Sequence, residues 1–215
     1  MRVAFRAVSR GILITIEGID GAGKTTLAHG LAGALRERGL DIVALREPGG
    51  VLVAERIRAL VTDPQLSVVP RAEALLYAAA RAQLVAQTLE PALAAGATVL
   101  LDRFVDSSLA YQGAGRELGI DAVAAINDFA TLGLRPDRTL LLTLPPAVGR
   151  ARRDDRPHDR IELEDDAFFA RIDAGYRWLA QAEPDRVRVL DATLEPERLL
   201  ELALAELSDL LGRGR

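Results

Sequence analysis

The sequence contains no cysteine and no long apolar run. Without thiols there are no disulfides, thiolate metal sites or cysteine nucleophiles, so nothing favours export into an oxidising compartment and a cytoplasmic location is the default expectation. Apolar runs such as residues 140–142 are far shorter than the roughly 20 residues that span a bilayer. A net charge of −4 argues against a broad nucleic-acid surface. We therefore expect neither a membrane nor a nucleic acid as partner.

Lysine is almost absent as well, since Lys24 is the only lysine among 27 basic residues and the others are arginine. It lies in a run that matches the phosphate-binding P-loop pattern over its full length. The run reads Gly18, Ile19, Asp20, Gly21, Ala22, Gly23, Lys24 and Thr25, and Thr26 follows it. An ammonium is a compact charge on a flexible stem, and a guanidinium fork would not fit the same space. The sequence therefore predicts a nucleotide phosphate site.

Apolar patterning places this loop between a strand and a helix. Residues 11–16 form a continuous apolar run typical of a buried strand, and residues 26–38 carry apolar residues at helical spacing. Further strands are predicted at residues 42–45, 98–101, 139–144 and 187–190, with helix-length segments between them. Right-handed crossovers then give an α/β fold with a five-stranded parallel sheet, whose ligands bind at the carboxyl ends of the strands.

The chain is expected to form a single domain over residues 1–215. We interpret residues 1–10 as a short N-terminal extension and not as a signal peptide, because Arg6 interrupts any apolar core and the next apolar run leads into the P-loop. Residues 150–166 are dense in charge and lack a sustained apolar face, which predicts an exposed mobile loop. Trp178, Phe168 and Phe169 are expected in the core.

The P-loop residues suit a nucleoside triphosphate. Backbone N–H groups of residues 21–25 would cradle the β-phosphate, and the N-terminus of the following helix would add its dipole. Lys24 would bridge the β- and γ-phosphates. The Thr25 hydroxyl would reach Mg²⁺, and Asp102, which follows an apolar strand, would be the second group near the metal. A helix or turn cap is the alternative interpretation of Asp102.

Several further motifs together resemble the bacterial thymidylate kinase family, and the resemblance covers nearly the whole chain from Gly11. Besides the P-loop and the arginine-rich segment, they are Arg-Glu-Pro-Gly-Gly at 46–50, Ala-Ala-Arg at 79–81, the run 102–113 that opens Asp-Arg-Phe, Gly-Leu-Arg-Pro-Asp at 133–137 and Asp-Ala-Thr at 191–193. The resemblance implies a P-loop NTPase fold with an arginine-rich lid at 150–166. It also implies transfer of the γ-phosphoryl group of ATP to dTMP, which gives ADP and dTDP for dTTP synthesis, and it implies Mg²⁺ and a homodimer.

The same resemblance assigns residues to the two substrates. Arg46, Arg58 and Arg103 would hold the dTMP phosphate, for which guanidinium forks are suited, although surface solvation is the alternative for each. Tyr77 would stack on thymine, with a core position as the alternative, and Tyr111 would exclude a ribose 2′-hydroxyl. The other assignments are Asp20 near the sugar 3′-hydroxyl and acceptor phosphate, Arg81 at the base edge, Ser108 and Gln112 as hydrogen-bonding partners of thymine, Glu47 and Pro48 on the dTMP side, and Ala192 and Thr193 on the ATP side.

A catalytic arginine completes the set. The family places this residue in the P-loop or in the lid, and this P-loop contains none. The resemblance therefore implies a lid arginine, and we prefer Arg152 and Arg156, with Arg150 and Arg153 as alternatives. The expected catalytic residues are then Lys24, Asp20, Arg103, Arg152 and Arg156.

Two other functions share some of these features. A deoxynucleoside kinase also has a P-loop and lid arginines but phosphorylates a neutral sugar hydroxyl, and Arg46 and Arg58 favour a charged acceptor instead. A nucleotide-dependent switch is the other alternative. The guanine-reading Asn-Lys-x-Asp element cannot occur in a chain whose one lysine lies in the P-loop, and a lid rich in arginine suits phosphoryl transfer better.

Overall fold

A computed structural model describes residues 10–152 and 158–212 of the chain. Within these ranges five strands form one parallel sheet in the order β2-β3-β1-β4-β5. The strands are β1 (Leu13–Glu17), β2 (Ile42–Arg46), β3 (Thr98–Asp102), β4 (Arg138–Thr143) and β5 (Val187–Asp191). Because β1 lies between β3 and β4, the P-loop leaves the middle of the sheet at its carboxyl edge. The predicted five-stranded parallel sheet is confirmed.

Four of the strands end one residue later than the sequence predicts, and the additional last residue of each is polar. Glu17, Arg46, Asp102 and Asp191 are each the last residue of a strand. Arg46 pairs with Asp102 in the ladder between β2 and β3. Backbone pairing thus continues past the apolar run, and this brings charged side chains to the edge where ligands bind.

Helices connect the strands and cover the sheet. They are α1 (Lys24–Glu37), α2 (Leu52–Thr62), α3 (Pro70–Leu84), α4 (Glu90–Ala94), α5 (Val105–Ser108), α6 (Ile120–Thr131), α7 (Pro146–Ala151), α8 (Asp166–Ala182), α9 (Pro196–Glu206) and α10 (Ser208–Leu211). A π-helical segment, Val85–Leu89, joins α3 to α4, and another, Leu109–Gly115, continues α5. The Asp165 side chain caps α8 by accepting from the Phe168 N–H at 2.8 Å. None of the described helices is both long and apolar enough to cross a membrane.

Two hydrophobic clusters lie on opposite faces of the sheet, as the alternation along β1 requires. Ile14 and Ile16 point into the cluster that contains residues of α1, α8 and α9. Leu13 points into the other cluster, with Leu101 and residues of α3 and α4. Both faces of the sheet are therefore buried, which is typical of a parallel sheet.

The aromatic residues of α8 divide between core and surface. Phe168 and Phe169 are buried, which confirms their predicted place in the core. The prediction for Trp178 is wrong, because 49% of its surface is exposed. Residues 172, 175, 176 and 179 form the buried stripe of this helix, and Trp178 lies beside that stripe.

The segment predicted to be an exposed loop is exposed only in part. Arg150 pairs with Asp166 at the surface, but Ile161 and Glu162 are buried. Arg160 turns inward as well, and its Nη2 lies 2.7 Å from a carboxylate oxygen of Glu73. Residues 153–157, which include Arg153 and Arg156, lie outside the described residues, as do residues 1–9 of the predicted extension.

Candidate active site

The P-loop joins β1 to α1 and uses glycine where no side chain fits. Gly21 has a φ of +82°, and a Cβ there would lie 2.2 Å from the carbonyl oxygen of Gly149 in α7. Gly18 has a φ of +136°, and a Cβ there would lie 2.4 Å from the carbonyl oxygen of Leu142. The loop therefore keeps a bare backbone for close approach of a ligand and rests directly on α7.

Lys24, the first residue of α1, reaches back across the loop. Its Nζ donates to the Ile19 carbonyl at 2.9 Å and lies 3.7 Å from Asp20 Oδ1. Burial and the charge of Arg103 together lower the pKa of the ammonium to about 8, although Asp20 acts in the opposite direction. A buried ammonium at a helix N-terminus is a site for an anion, whose charge would stabilise the protonated form.

Thr25 and Asp102, the predicted metal pair, are in contact. Thr25 Oγ1 donates to Asp102 Oδ2 at 2.8 Å, and Asp102 is placed there because β3 pairs with β1. One hydroxyl and one carboxylate suit Mg²⁺, which keeps water and substrate phosphate oxygens as its other ligands. The part of the chain that the structure describes contains no group of three or more His, Cys, Asp or Glu residues that could hold a metal.

A cleft beside the P-loop contains several of the residues assigned to ATP, together with Arg152. Its lining includes Gly21, Ala22, Gly23, Thr26, Arg152, Ala192 and Thr193. Arg152 Nη1 donates to the Ala192 carbonyl at 3.0 Å and more weakly to the Gly21 carbonyl at 3.4 Å. Of the two preferred lid arginines, Arg152 thus lies against the P-loop, while Arg156 lies outside the described residues.

A second cavity lies next to Asp20 and gathers most of the residues assigned to dTMP. They are Asp20, Glu47, Pro48, Arg58, Tyr77, Arg81, Arg103, Ser108, Tyr111 and Gln112. These residues come from the P-loop, the segments after β2 and β3, helices α2, α3 and α5, and the π-helical segment. Arg46 is the exception, because its half-exposed guanidinium pairs with Glu55 at 3.2 Å and does not line the cavity.

Arg103 connects the P-loop to this cavity. Its Nη2 donates to Asp20 Oδ1 at 2.5 Å, and its Nη1 donates to Ser107 Oγ at 3.0 Å. Arg103 itself has a φ of 69°, in the left-handed region. Burial opposes the charged form, but Asp20 and its neighbours hold the pKa of Arg103 well above its usual range. The guanidinium is therefore a fixed cation between the two ligand sites.

Tyr111 forms a rigid wall of the cavity. Its hydroxyl donates to Asp20 Oδ2 at 3.2 Å, and its ring packs edge-on against Phe168 and Tyr176, with centroids 6.3 and 6.4 Å away. The Arg103 guanidinium lies 5.0 Å from the ring centre. Burial raises the pKa of the Tyr111 hydroxyl, so it stays a neutral donor.

Arg81 organises the wall behind the cavity. Its Nε donates to Glu47 at 2.7 Å, its Nη1 to Ser108 Oγ at 2.9 Å and to Asn127, and its Nη2 to the Phe104 carbonyl at 2.9 Å. Only 1% of its surface is exposed. Burial raises the pKa of Glu47 above its usual value, although the charge of Arg81 acts in the opposite direction. With its donors used in this way, Arg81 acts on a ligand mainly through the residues it holds.

Comparison with known proteins identifies the family. A family model described as thymidylate kinase matches residues 16–202 of this chain. The chain belongs to the thymidylate kinase family.

Relatives from several bacteria agree with this family. The chain is 50% identical over 205 residues to the thymidylate kinase of Oenococcus oeni, with 92% of this chain and 95% of that protein covered. It is 50% identical over 196 residues to the thymidylate kinase of Deinococcus radiodurans, with 90% and 94% covered. Among solved structures, thymidylate kinase from Ehrlichia chaffeensis superposes with a TM-score of 0.77 at 27% identity, covering 93% of this chain and 99% of that one.

Membership of the thymidylate kinase family confirms the resemblance, the P-loop NTPase fold and the predicted reaction. The chain is an ATP-dependent dTMP phosphotransferase, and the deoxynucleoside kinase alternative is not favoured. The arginine-rich lid is not confirmed, and the roles of individual residues stay predictions.

Two residues around this thymidylate kinase site, Glu17 and Glu73, escape sequence reasoning. Glu17, the last residue of β1, is fully buried and accepts from the Phe104 N–H at 2.7 Å and from Ser107 at 2.5 Å. Burial, with Asp106 nearby, raises the pKa of Glu17 to about 7. Glu73, in the first turn of α3, is fully buried behind Gln112. Glu17 could have been found from the sequence, because an acidic residue directly after a buried apolar strand is unusual. Glu73 could not, because an acidic residue near a helix N-terminus is usually a solvated one that interacts with the helix dipole.

Proposed function

We propose that phosphoryl transfer takes place where the cleft and the cavity meet, with ATP beside Ala192 and Thr193 and dTMP between Tyr77 and Tyr111. The observation that carries this proposal is the position of Asp20. Its carboxylate lies 3.7 Å from Lys24 and 2.5 Å from Arg103, so the cation suited to the β- and γ-phosphates and the cation suited to the acceptor phosphate converge on one side chain.

In this arrangement the protein acts mainly by positioning and by charge. Phosphoryl transfer needs an acceptor oxygen in line with the γ-phosphate and cations around the transferred group. Arg103 and Arg58 would hold the dTMP phosphate from two walls of the cavity, while Lys24 would hold ATP. Arg152, which already lies against the P-loop, is the described lid arginine best placed to approach the transferred group.

The dTMP nucleoside would fill the rest of the cavity. Tyr77 is half-buried in its wall and presents an aromatic surface for the base. Tyr111 is held by Phe168 and Tyr176, and this supports a role in excluding a ribose 2′-hydroxyl, since a fixed ring cannot yield to a larger sugar. Ser108 and Gln112 face the polar edge of the base.

Mg²⁺ would be held by Thr25 and Asp102. When bound, it neutralises charge on the β- and γ-phosphoryl oxygens.

We further propose that the chain, as a single domain, forms a cytoplasmic homodimer. Helix α2 contacts α3, and α3 contacts α6. Exposed apolar side chains on these three helices support the dimer: Leu60 on α2, Leu75 on α3, Phe129 on α6 and Leu132 at its end. The molar mass from light scattering tests the dimer, and a monomeric mass would exclude it.

An activity screen with ATP and Mg²⁺ tests the function. We expect dTMP to be the best acceptor, dUMP to be weaker, and UMP and thymidine to be barely used, because the cavity requires a phosphate and excludes a 2′-hydroxyl. Faster turnover of thymidine than of dTMP would favour a deoxynucleoside kinase instead.

Two matched variants test the site itself. Arg103→Lys and Arg46→Lys each keep a positive charge and lose a guanidinium fork, but only Arg103 lines the cavity. We expect Arg103→Lys to cause the larger loss in kcat/KM for dTMP. An equal or larger loss for Arg46→Lys would place the acceptor phosphate nearer to Arg46 than we propose.

A further inference from the structure

A carboxylate that no part of the reaction requires, Glu73, lies behind the polar end of the dTMP cavity. Gln112 lines the cavity and is 2% exposed, and its Nε2 donates to Glu73 Oε1 at 2.9 Å. Glu73 itself is completely buried and does not line the cavity. It therefore acts on a ligand, if at all, through Gln112.

Two arginines hold the Glu73 carboxylate in place. Arg160 Nη2 donates to Oε2 at 2.7 Å, and Arg116 Nε donates to both oxygens at 3.2 Å. Arg160 lies in the segment before α8 and Arg116 directly follows the π-helical segment, so Glu73 is fixed from two separate parts of the chain. A carboxylate held in this way offers only acceptors to a neighbouring side chain.

This contact determines which way the Gln112 amide points. The NH2 group must face the carboxylate, because the reverse orientation would place two acceptor oxygens against each other. No described residue donates to Gln112 Oε1, so the amide oxygen remains available on the side of the cavity. The contact therefore fixes the amide oxygen on the cavity side, and an oxygen in that position can only accept a hydrogen bond.

Ser108, the other polar group at this end, is not restricted. Its Oγ accepts from Arg81 at 2.9 Å, and the hydroxyl can still either donate or accept by rotating its proton. A choice between bases therefore depends on the fixed group, Gln112, and not on the adaptable one.

We propose that Glu73 is a specificity-determining positioning residue, which holds Gln112 as an acceptor and so selects pyrimidines that carry a proton on N3. Thymine and uracil present an N3–H donor. Cytosine presents a bare N3 acceptor, which would meet the Gln112 oxygen with no proton between them. The inference rests on the proposed placement of dTMP in this cavity, with its base towards Gln112.

The test compares kcat/KM for dTMP and for dCMP in the full-length protein. Glu73→Gln keeps the length of the side chain but can also donate a hydrogen bond, so Gln112 is free to turn and present its NH2 group. We expect the dTMP:dCMP ratio to fall by roughly ten- to a hundredfold, the range that corresponds to an unsatisfied buried polar group. Arg116→Gln, the matched control, removes a cation from the same carboxylate and should leave the ratio unchanged.

A purely structural role for Glu73 makes a different prediction. It would lower the rates with dTMP and dCMP together, and an unchanged ratio in a folded Glu73→Gln protein overturns the proposal. Where that variant fails to fold, Glu73→Asp decides, because it keeps the charge that the arginines need and withdraws the carboxylate from Gln112. Its ratio should fall in the same direction, and an unchanged ratio likewise overturns the proposal. Wild-type protein that does not use dTMP would instead refute the proposed function, so the two failures are distinct.

Discussion

The pH dependence of ATP use should reveal the buried ammonium of Lys24. Its pKa is about 8 in the ligand-free protein, against the usual 10.5. Only the protonated form can bridge two phosphates, and kcat/KM for ATP reports the ionisation of the free enzyme. A group with this pKa is about half protonated at pH 8 and about one-tenth protonated at pH 9, so kcat/KM for ATP should be about tenfold lower at pH 9 than on the acidic plateau.

The assay measures initial rates at saturating dTMP with ATP varied, between about pH 6.5 and 9.5. The internal control is kcat/KM for dTMP at saturating ATP over the same range. Bound phosphates stabilise the ammonium, so this second profile should stay flatter through pH 8 to 9 than the first.

Chemical modification gives an independent measure of the same group. Because the chain has one lysine, mass spectrometry assigns every side-chain modification by an amine-directed reagent to Lys24. A pKa near 8 makes its neutral form abundant in mildly alkaline buffer, and ATP should protect it. A profile for ATP that is flat to about pH 9.5, together with no protection by ATP, would refute the phosphate-bridging role.

Three other predictions concern Tyr111, Arg152 and Glu17. Tyr111→Ala should lower the dTMP:UMP selectivity by removing the ring that a 2′-hydroxyl would meet, whereas Tyr111→Phe keeps the ring and the selectivity; equal ratios in both variants would contradict this. Arg152→Ala should lower kcat by roughly 10³–10⁵ with a smaller effect on KM for dTMP, and a kcat within about tenfold of wild type would show that the charge comes from elsewhere. The pKa of Glu17 is about 7 in the folded protein and about 4.5 in the unfolded chain. Between these pH values the unfolded chain loses its proton first, so the free energy of unfolding falls as the pH rises, by up to about 3 kcal/mol. Urea unfolding of Glu17→Gln should therefore show stability relative to wild type that increases from pH 5 to 8, and a constant difference would exclude this effect.

Much of the site is visible in the sequence because its chemistry is local. The P-loop is a contiguous run, and Thr25 meets Asp102 because two apolar runs pair as neighbouring strands. The apolar pattern does not locate the strand ends, since polar residues such as Asp191 continue the backbone ladder without continuing that pattern.

The partners of charged side chains could not be predicted in the same way. Arg81 contacts Glu47, Ser108 and Asn127, which lie far from it in the chain, and nothing in its local sequence indicates that its donors are used internally. Arg46 is predicted to hold the dTMP phosphate together with Arg58, and in the structure its guanidinium pairs with Glu55 outside the cavity. Such choices depend on tertiary geometry, because an arginine fork can satisfy several carboxylates equally well.

The contact between Gly21 and Gly149 has a consequence for tolerance to mutation. The P-loop pattern leaves position 21 open to any residue. In this protein only glycine fits at position 21, because any other residue would have to adopt a left-handed backbone conformation and its Cβ would displace the carbonyl of Gly149. Position 149 is restricted in turn, since a Cβ there would lie 2.9 Å from the carbonyl oxygen of Asp20. Two positions far apart in the sequence are thus coupled, and a saturation library at either one alone should return glycine almost exclusively.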